Sequence, residues 1–310
     1  MRGCFRVVAA SICRRLDAVA NFAAGWRPNR GGLLARIAGK PFPVFLTAGG
    51  APCLCQMPGP TEERAVVCSI PKAGTYLLNE LLQTMGLVSA RIHLGEEGFS
   101  DYRFASLETA RSRYAELDVR LPLADTVQLL LPGQFAVGHL RCRPEVRDAL
   151  GSIRKVFAYR DLRDCVVSWM RFIVDAGRVT PDRQEWASAP DGPARLEKML
   201  DSRTGFDFDC VREMTEWRRD PDVLSVCYET LLRNPNTAES QGCISALADF
   251  LMVPTGAVQS ASILPAVLSR QTLTKSAKPT DWREYWDDRV EAAFRASGGV
   301  EINRNLGYPQ

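Results

Sequence analysis

One local pattern constrains this chain more than any other: a short apolar run, a tight turn, and a helix that begins at once. Ala65-Val66-Val67-Cys68-Ser69-Ile70 is apolar and β-branched, as expected of a strand covered on both faces. Pro71 ends it, and Gly74 supplies a backbone shape that a side chain would resist. Leu77, Leu78, Leu81, Leu82 and Met85 then recur at helical spacing, with Gly86 as a stop signal. A helix opening at such a turn points unpaired N–H groups at one spot. That spot is an anion site, and Lys72 adds a full positive charge to it.

The theme recurs downstream. Phe135 to Leu140 reads as a strand that delivers His139 at its end. Arg154 to Tyr159 is a clearer strand, followed by Arg160 and a helical pattern over 162–174. Val223 to Cys227 is a third, ending in Tyr228-Glu229. The spacing predicts helices over 76–85, 206–219, 238–251 and 282–296, the last closed by Gly298-Gly299. Residues 126–131 either end a helix or form a short strand, and 91–118 are polar and mixed, with weak helical character at 107–117. Residues 176–205, rich in Pro, Asp, Gly and Ser, read as a long mobile loop or lid. Strands alternating with helices predict an α/β fold, a central parallel sheet flanked by helices on both faces. Such sheets bind ligands at the carboxyl ends of their strands, where Lys72, His139, Arg160 and Tyr228 all fall.

Composition narrows the function. A net charge of +3 is too small to make nucleic acid the main partner. The ten cysteines form no Cys-x-x-Cys pair, which predicts buried thiols in a reducing, cytoplasmic setting rather than a disulfide framework or a zinc site. With His93 and His139 the sole histidines, a histidine-rich metal site is not expected. The charge is uneven: residues 1–60 hold eight basic residues against Asp17, so this segment is +7 and the remainder −4. Phe5, Val8, Ile12, Leu16, Val19 and Phe22 make an apolar helical stripe beside arginines. Such a helix can lie on an anionic membrane, serve as a transit peptide, or pack on the rest of the protein. No run reaches the roughly 18 apolar residues of a membrane span. The chain therefore divides into a basic extension, 1–60, with 41–55 as a connection, and a main domain, 61–310.

The turn fails the nucleotide-binding pattern G-x-x-x-x-G-K-[ST], because Lys72 precedes Gly74 and no Gly-Lys-Ser/Thr follows. Pro71-Lys72-Ala73-Gly74-Thr75-Tyr76-Leu77 instead resembles the phosphosulfate loop of the cytosolic-type sulfotransferases, roughly Pro-Lys-Ser-Gly-Thr-Thr-Trp. Arg160-Asp161-Leu162-Arg163-Asp164, with Ser168, is similar to that family's Arg-Asn-Pro-Arg-Asp-x-x-x-Ser. Gly138-His139-Leu140 resembles its catalytic histidine motif, with Val137 and Arg141 where many members place Lys and Pro. Tyr228-Glu229 resembles its Tyr-Glu-Asp. Lys275 to Trp282 resembles Arg-Lys-Gly-x-x-Gly-Asp-Trp, with Asp281-Trp282 the full match. The final Leu306-Gly307-Tyr308 also resembles the family's ending, whereas its C-terminal dimer motif is absent near 283–292.

The resemblance implies a P-loop NTPase-like three-layer sandwich and transfer of a sulfuryl group from 3′-phosphoadenosine 5′-phosphosulfate (PAPS) to an acceptor hydroxyl, with no metal. It implies His139 as the base. Lys72, with the amides of Ala73, Gly74, Thr75 and Tyr76 and the Thr75 hydroxyl, would hold the sulfate end and the 5′-phosphate. Arg160 and Ser168 would grip the 3′-phosphate, with Lys275 or Lys278 closing over it, and Tyr228 would lie near the adenine. Two rivals stay open: a sulfotransferase-like nucleotide-binding protein with little activity, and a nucleotide kinase needing Mg²⁺. The residues do not single out the acceptor, which stays open among a small molecule such as a phenol or sterol, a lipid, a glycan and a peptide tyrosine, with the basic extension weakly favouring a membrane-associated one. The oligomeric state is left open.

Overall fold

Residues 65–69 alternate between two environments. Val66 and Cys68 pack into a first apolar layer and Ala65 and Val67 into a second, all four fully buried. This strand, β1 (Ala65–Ser69), is therefore the middle of a sheet covered on both faces. Helix α1 (Thr75–Thr84) follows and buries Leu78, Leu81 and Leu82 against the second layer. It ends as its sequence predicts: Gly86 has φ 99, its N–H donates to the Gln83 carbonyl, and the Leu87 N–H donates to that of Leu82.

The computed structural model describes residues 61–309 apart from 104–116, 176, 233–236, 255–266 and 268–280, and also a two-residue antiparallel pairing of Phe45–Leu46 with Pro52–Cys53. The amphipathic stripe of the extension and the loop 271–280 lie outside the described residues.

After α1 come β2 (Val88–Leu94), β3 (Gly98–Asp101), β4 (Asp118–Arg120) and β5 (Gln134–Gly138). Helix α2 (Pro144–Leu150) leads to β6 (Arg154–Tyr159) and α3 (Leu162–Asp175). Helices α4 (Gly192–Asp201) and α5 (Phe208–Thr215) precede β7 (Val223–Cys227). Helices α6 (Ala238–Phe250), α7 (Asp288–Ala296) and α8 (Gly299–Asn305) complete the described chain. The sheet order is β4-β3-β2-β5-β1-β6-β7. The five strands from β2 to β7 in that order are parallel, and β3 and β4 add an antiparallel edge.

Three sequence expectations are corrected. The start of the polar, mixed stretch 91–118 belongs to two paired strands, Val88–Leu94 and Gly98–Asp101. Val88, Ala90, Ile92 and Leu94 alternate as a strand should, and the last three are buried in the first layer. Residues 176–205 hold a helix rather than one long loop. Asp191 caps it by accepting from the Ala194 N–H at 2.8 Å, Pro193 sits in its first turn, and Leu196 and Met199 are buried. The Asp, Gly and Pro that look like loop residues are helix-start signals. Finally, the helix that Gly298-Gly299 closes is not the chain's last. Gly298 has φ 79 and starts α8, which returns Asn303 to the core. The 126–131 ambiguity resolves as short helical turns at Leu123–Thr126 and Val127–Leu129.

Candidate active site

Adjacent parallel strands β5, β1, β6 and β7 end in His139, the Lys72 turn, Arg160 and Tyr228. All four face the same end of the sheet because all four strands run the same way. Between β1 and α1 the backbone turns sharply. Lys72 has φ 70, a left-handed conformation that costs a non-glycine residue on the order of 1 kcal/mol, and Gly74 has φ 97. The Ala73 N–H closes the turn on the Ile70 carbonyl at 3.0 Å, so among the expected amide donors Ala73 is already used. The Leu78 N–H makes the first helical return, to Gly74. The amides ahead of it are those that a helix start leaves for an anion.

The Lys72 ammonium lies 4.1 Å from the centre of the Phe172 ring. Burial, with Arg178 and Arg160 nearby, lowers its pKa to about 8. Arg178 stacks on the same ring at 4.2 Å. The Thr75 hydroxyl bonds the Ser69 hydroxyl at 2.7 Å. The Tyr76 ring turns away from the turn, towards His93 at 6.4 Å and into a hydrogen bond with Tyr102.

Arg160 sits at the second βα turn with its guanidinium half-sandwiched. It lies 4.3 Å over the Tyr228 ring and 3.3 Å from the Asp164 carboxylate, while its buried Nε has no partner. Burial beside other carboxylates raises Asp164 to about 6 despite the arginine. Ser168 follows, half-buried on α3. The turn itself is braced. The Asp161 N–H donates to Glu229 at 3.2 Å, and Asn303 donates to the Asp161 carboxylate while accepting from the Leu162 N–H, both at 2.8 Å. The Tyr308 hydroxyl donates to Glu229 at 2.5 Å.

Tyr228 joins the two turns. A Cβ added to Gly74 would meet the Tyr228 ring at 2.5 Å, and the same ring carries Arg160. The two cationic turns are thus walls of one recess. His139 stands beside the first. Its Nδ1 lies 2.8 Å from the Ser69 carbonyl, which can only accept, so Nδ1 carries the proton and Nε2 holds a lone pair. Burial, with Lys72 opposing further charge, lowers His139 to about 4 against the pull of the Ser69 carbonyl. The unusual neighbours of His139 are accounted for: Val137 is buried in the sheet, and both the backbone N–H and the guanidinium of Arg141 are held by Glu96. His93, which carries no motif and sits on the overlooked β2, has its ring centre 4.7 Å from that of His139. The alternation of 88–94 is the one sequence signal that could have placed it. Lys275 and Lys278 lie outside the described residues.

Two cationic turns and a neutral imidazole meet at one end of the sheet, and a family comparison names the class of protein that carries them. A family model described as the sulfotransferase domain matches residues 62–264, and the chain belongs to that family. It is a PAPS-dependent sulfotransferase, moving a sulfuryl group from PAPS to an acceptor hydroxyl. Among solved structures, mouse sulfotransferase SULT7A1 complexed with PAP (3′-phosphoadenosine 5′-phosphate, the product left by PAPS) is similar at a TM-score of 0.52. Its sequence identity is 15%, over 80% of this chain and 89% of that one. Retinol dehydratase in complex with androsterone and inactive cofactor PAP is similar at a TM-score of 0.45 and 16% identity, covering 77% of this chain and 80% of that one. At such identities the likeness is one of fold. No curated protein matches the chain. Among the described residues no helix is long and apolar enough to cross a membrane.

Proposed function

We propose that the Lys72 turn and Arg160 hold opposite ends of PAPS while His139 draws the proton from the acceptor hydroxyl. The observation that carries this reading is the Tyr228 ring, which touches both turns and makes them one pocket. PAPS supplies the sulfuryl group and a good leaving group. Lys72 and the amides of Gly74 to Tyr76 offset the charge that gathers on the leaving oxygen. The Thr75 hydroxyl adds a donor. The partnerless Nε of buried Arg160 suits a phosphate oxygen, since a guanidinium offers parallel charge-assisted bonds, and the Ser168 hydroxyl adds another. Tyr228, which carries Arg160 at 4.3 Å from its ring centre, offers an aromatic surface for the adenine. Either Lys275 or Lys278 would add charge at the 3′-phosphate.

His139 suits a base at cellular pH because it is neutral there and its Nδ1 proton is held elsewhere. We place the protein in the cytoplasm, as a basic extension, 1–60, and a catalytic domain, 61–310. The extension is a candidate for peripheral membrane contact, which liposome co-sedimentation with and without residues 1–40 would decide.

The test is calorimetry with PAP, followed by a labelled-sulfate assay from PAPS over phenols, sterols, sugars and lipids. The reading expects tight PAP binding, transfer to at least one class, and loss of turnover in His139→Ala with PAP affinity kept. Binding without transfer to any acceptor would favour a nucleotide-binding protein instead.

A further inference from the structure

The chain has two histidines in 310 residues, and the fold brings them ring to ring, with centres 4.7 Å apart and planes tilted by 60°. His93 reaches this place through a bulge. Between Ser89 and His93 the pairing of β2 with β5 slips, and Arg91 takes φ 54. A non-glycine residue in that region is strained, and bulges re-aim the side chains beside them. His93 carries a second cost, because its Nδ1 is buried without a hydrogen-bond partner. Phenylalanine or leucine would leave no polar atom unmet there. Strain at Arg91 and an orphan nitrogen at His93 converge on the one strand position that backs His139, and packing alone explains neither.

We propose that His93 is a positioning residue for sulfuryl transfer, its neutral ring presenting a fixed dipole alongside His139 as that base becomes charged. The inference rests on His139 being the base. In the transfer the acceptor oxygen bonds to sulfur while its proton passes to Nε2 of His139. The bond from sulfur to the bridging oxygen of PAPS breaks, and PAP leaves with the electron pair. His139 then carries a positive charge with its Nδ1–H still on the Ser69 carbonyl. A polar ring locked beside it stabilises that charge without having to reorganise. Only one of the two rings can hold the charge. Burial takes His93 lower, to about 3, and charge on His139 opposes a second one. The other ionisable groups facing the pair are Lys72 from the β1–α1 turn and Tyr76 from α1, with Tyr102 and Arg178 beyond them.

Two imidazoles give four ring-nitrogen signals in all, so ¹⁵N-histidine NMR of the full chain with PAP reads the pair directly. The variants are His93→Phe, which keeps a ring without nitrogen, and His93→Asn, which keeps a polar atom; His93→Leu replaces the first should it not fold. The expected result for His93→Phe is a melting temperature unchanged or raised, and PAP affinity within about twofold of the parent. His139 should then titrate at lower pH, and turnover should slow by about tenfold. His93→Asn should recover part of the rate. A nitrogen-free variant that keeps both the parental titration of His139 and the parental turnover overturns the proposal. If instead His139→Ala keeps its turnover, the base assignment has failed, and the NMR coupling of the two rings shows that separately.

Discussion

The two βα turns of the recess carry the same charge and are built in opposite ways. The Lys72 turn is strained and sparsely bonded: a lysine at φ 70, its ammonium over an aromatic ring, its pKa lowered to about 8 by burial and neighbouring cations. The Arg160 turn is braced by Asp164, Glu229, Asn303 and Tyr308, with α8 brought back through Asn303 to hold it. An anchor for an anion that does not change during reaction is best made rigid and permanently charged. A cation that must answer charge appearing on a leaving group gains most from being desolvated and short of other partners. On the proposed function, the first turn serves turnover and the second the register of the donor.

Mutation of each turn should therefore break in a different measurement. Lys72→Ala should lower turnover by about 10²–10³-fold with a smaller loss of PAP affinity, read by steady-state kinetics beside calorimetry. Arg160→Ala should do the reverse, weakening PAP by about 2–3 kcal/mol, roughly 30- to 150-fold, while turnover at saturating PAPS falls little. Equal effects of the two variants on both quantities would erase the distinction.

The junction is sharper still. Gly74→Ala puts a Cβ against the Tyr228 ring at a φ of 97, so the fold should lose about 2 kcal/mol or more in denaturant titration, and PAP binding should weaken at both ends together. Acidity separates the turns without mutation. Lys72 loses its proton in the free protein above about pH 8, so PAP affinity should fall towards about tenfold per pH unit beyond that point. Lys72→Arg should flatten the dependence. The sign for stability is opposite: the folded pKa lies below the unfolded one, so the cost of burying charged Lys72 is present at neutral pH and eases as pH rises from about 8 towards 10.5. The smallest effect belongs to the brace. Tyr308→Phe removes the donor to Glu229 and should cost about 1 kcal/mol of stability, with a severalfold loss in PAP affinity and no change in turnover.

Much of this was readable from residues alone, where the signal is short-ranged. β1, its turn, α1 and the Gly86 stop are declared within about twenty consecutive residues, and β6 and β7 fall where their apolar runs lie. The misreadings share a cause. In β2 the alternating apolar residues are separated by Ser89, Arg91 and His93, so the stretch reads as polar and mixed. In α4 the cap residues Asp191, Gly192 and Pro193 look like loop when the helix behind them is not weighed. A turn's internal bond, here from the Ala73 N–H to the Ile70 carbonyl, is not visible in residue types.

The sequence by itself determined which residues stand at strand ends, because strand, turn and helix propensities act over a few neighbours and directly dictate where β1, β6 and β7 stop. Only the tertiary structure decided which of those ends meet. Inserting β5 between β2 and β1 sets His139 beside both Ser69 and His93, and the return of β7 beside β6 lays Tyr228 between Gly74 and Arg160. Those contacts span tens of residues, and they follow from how a whole sheet minimises exposed apolar surface and unpaired backbone rather than from any one stretch of chain.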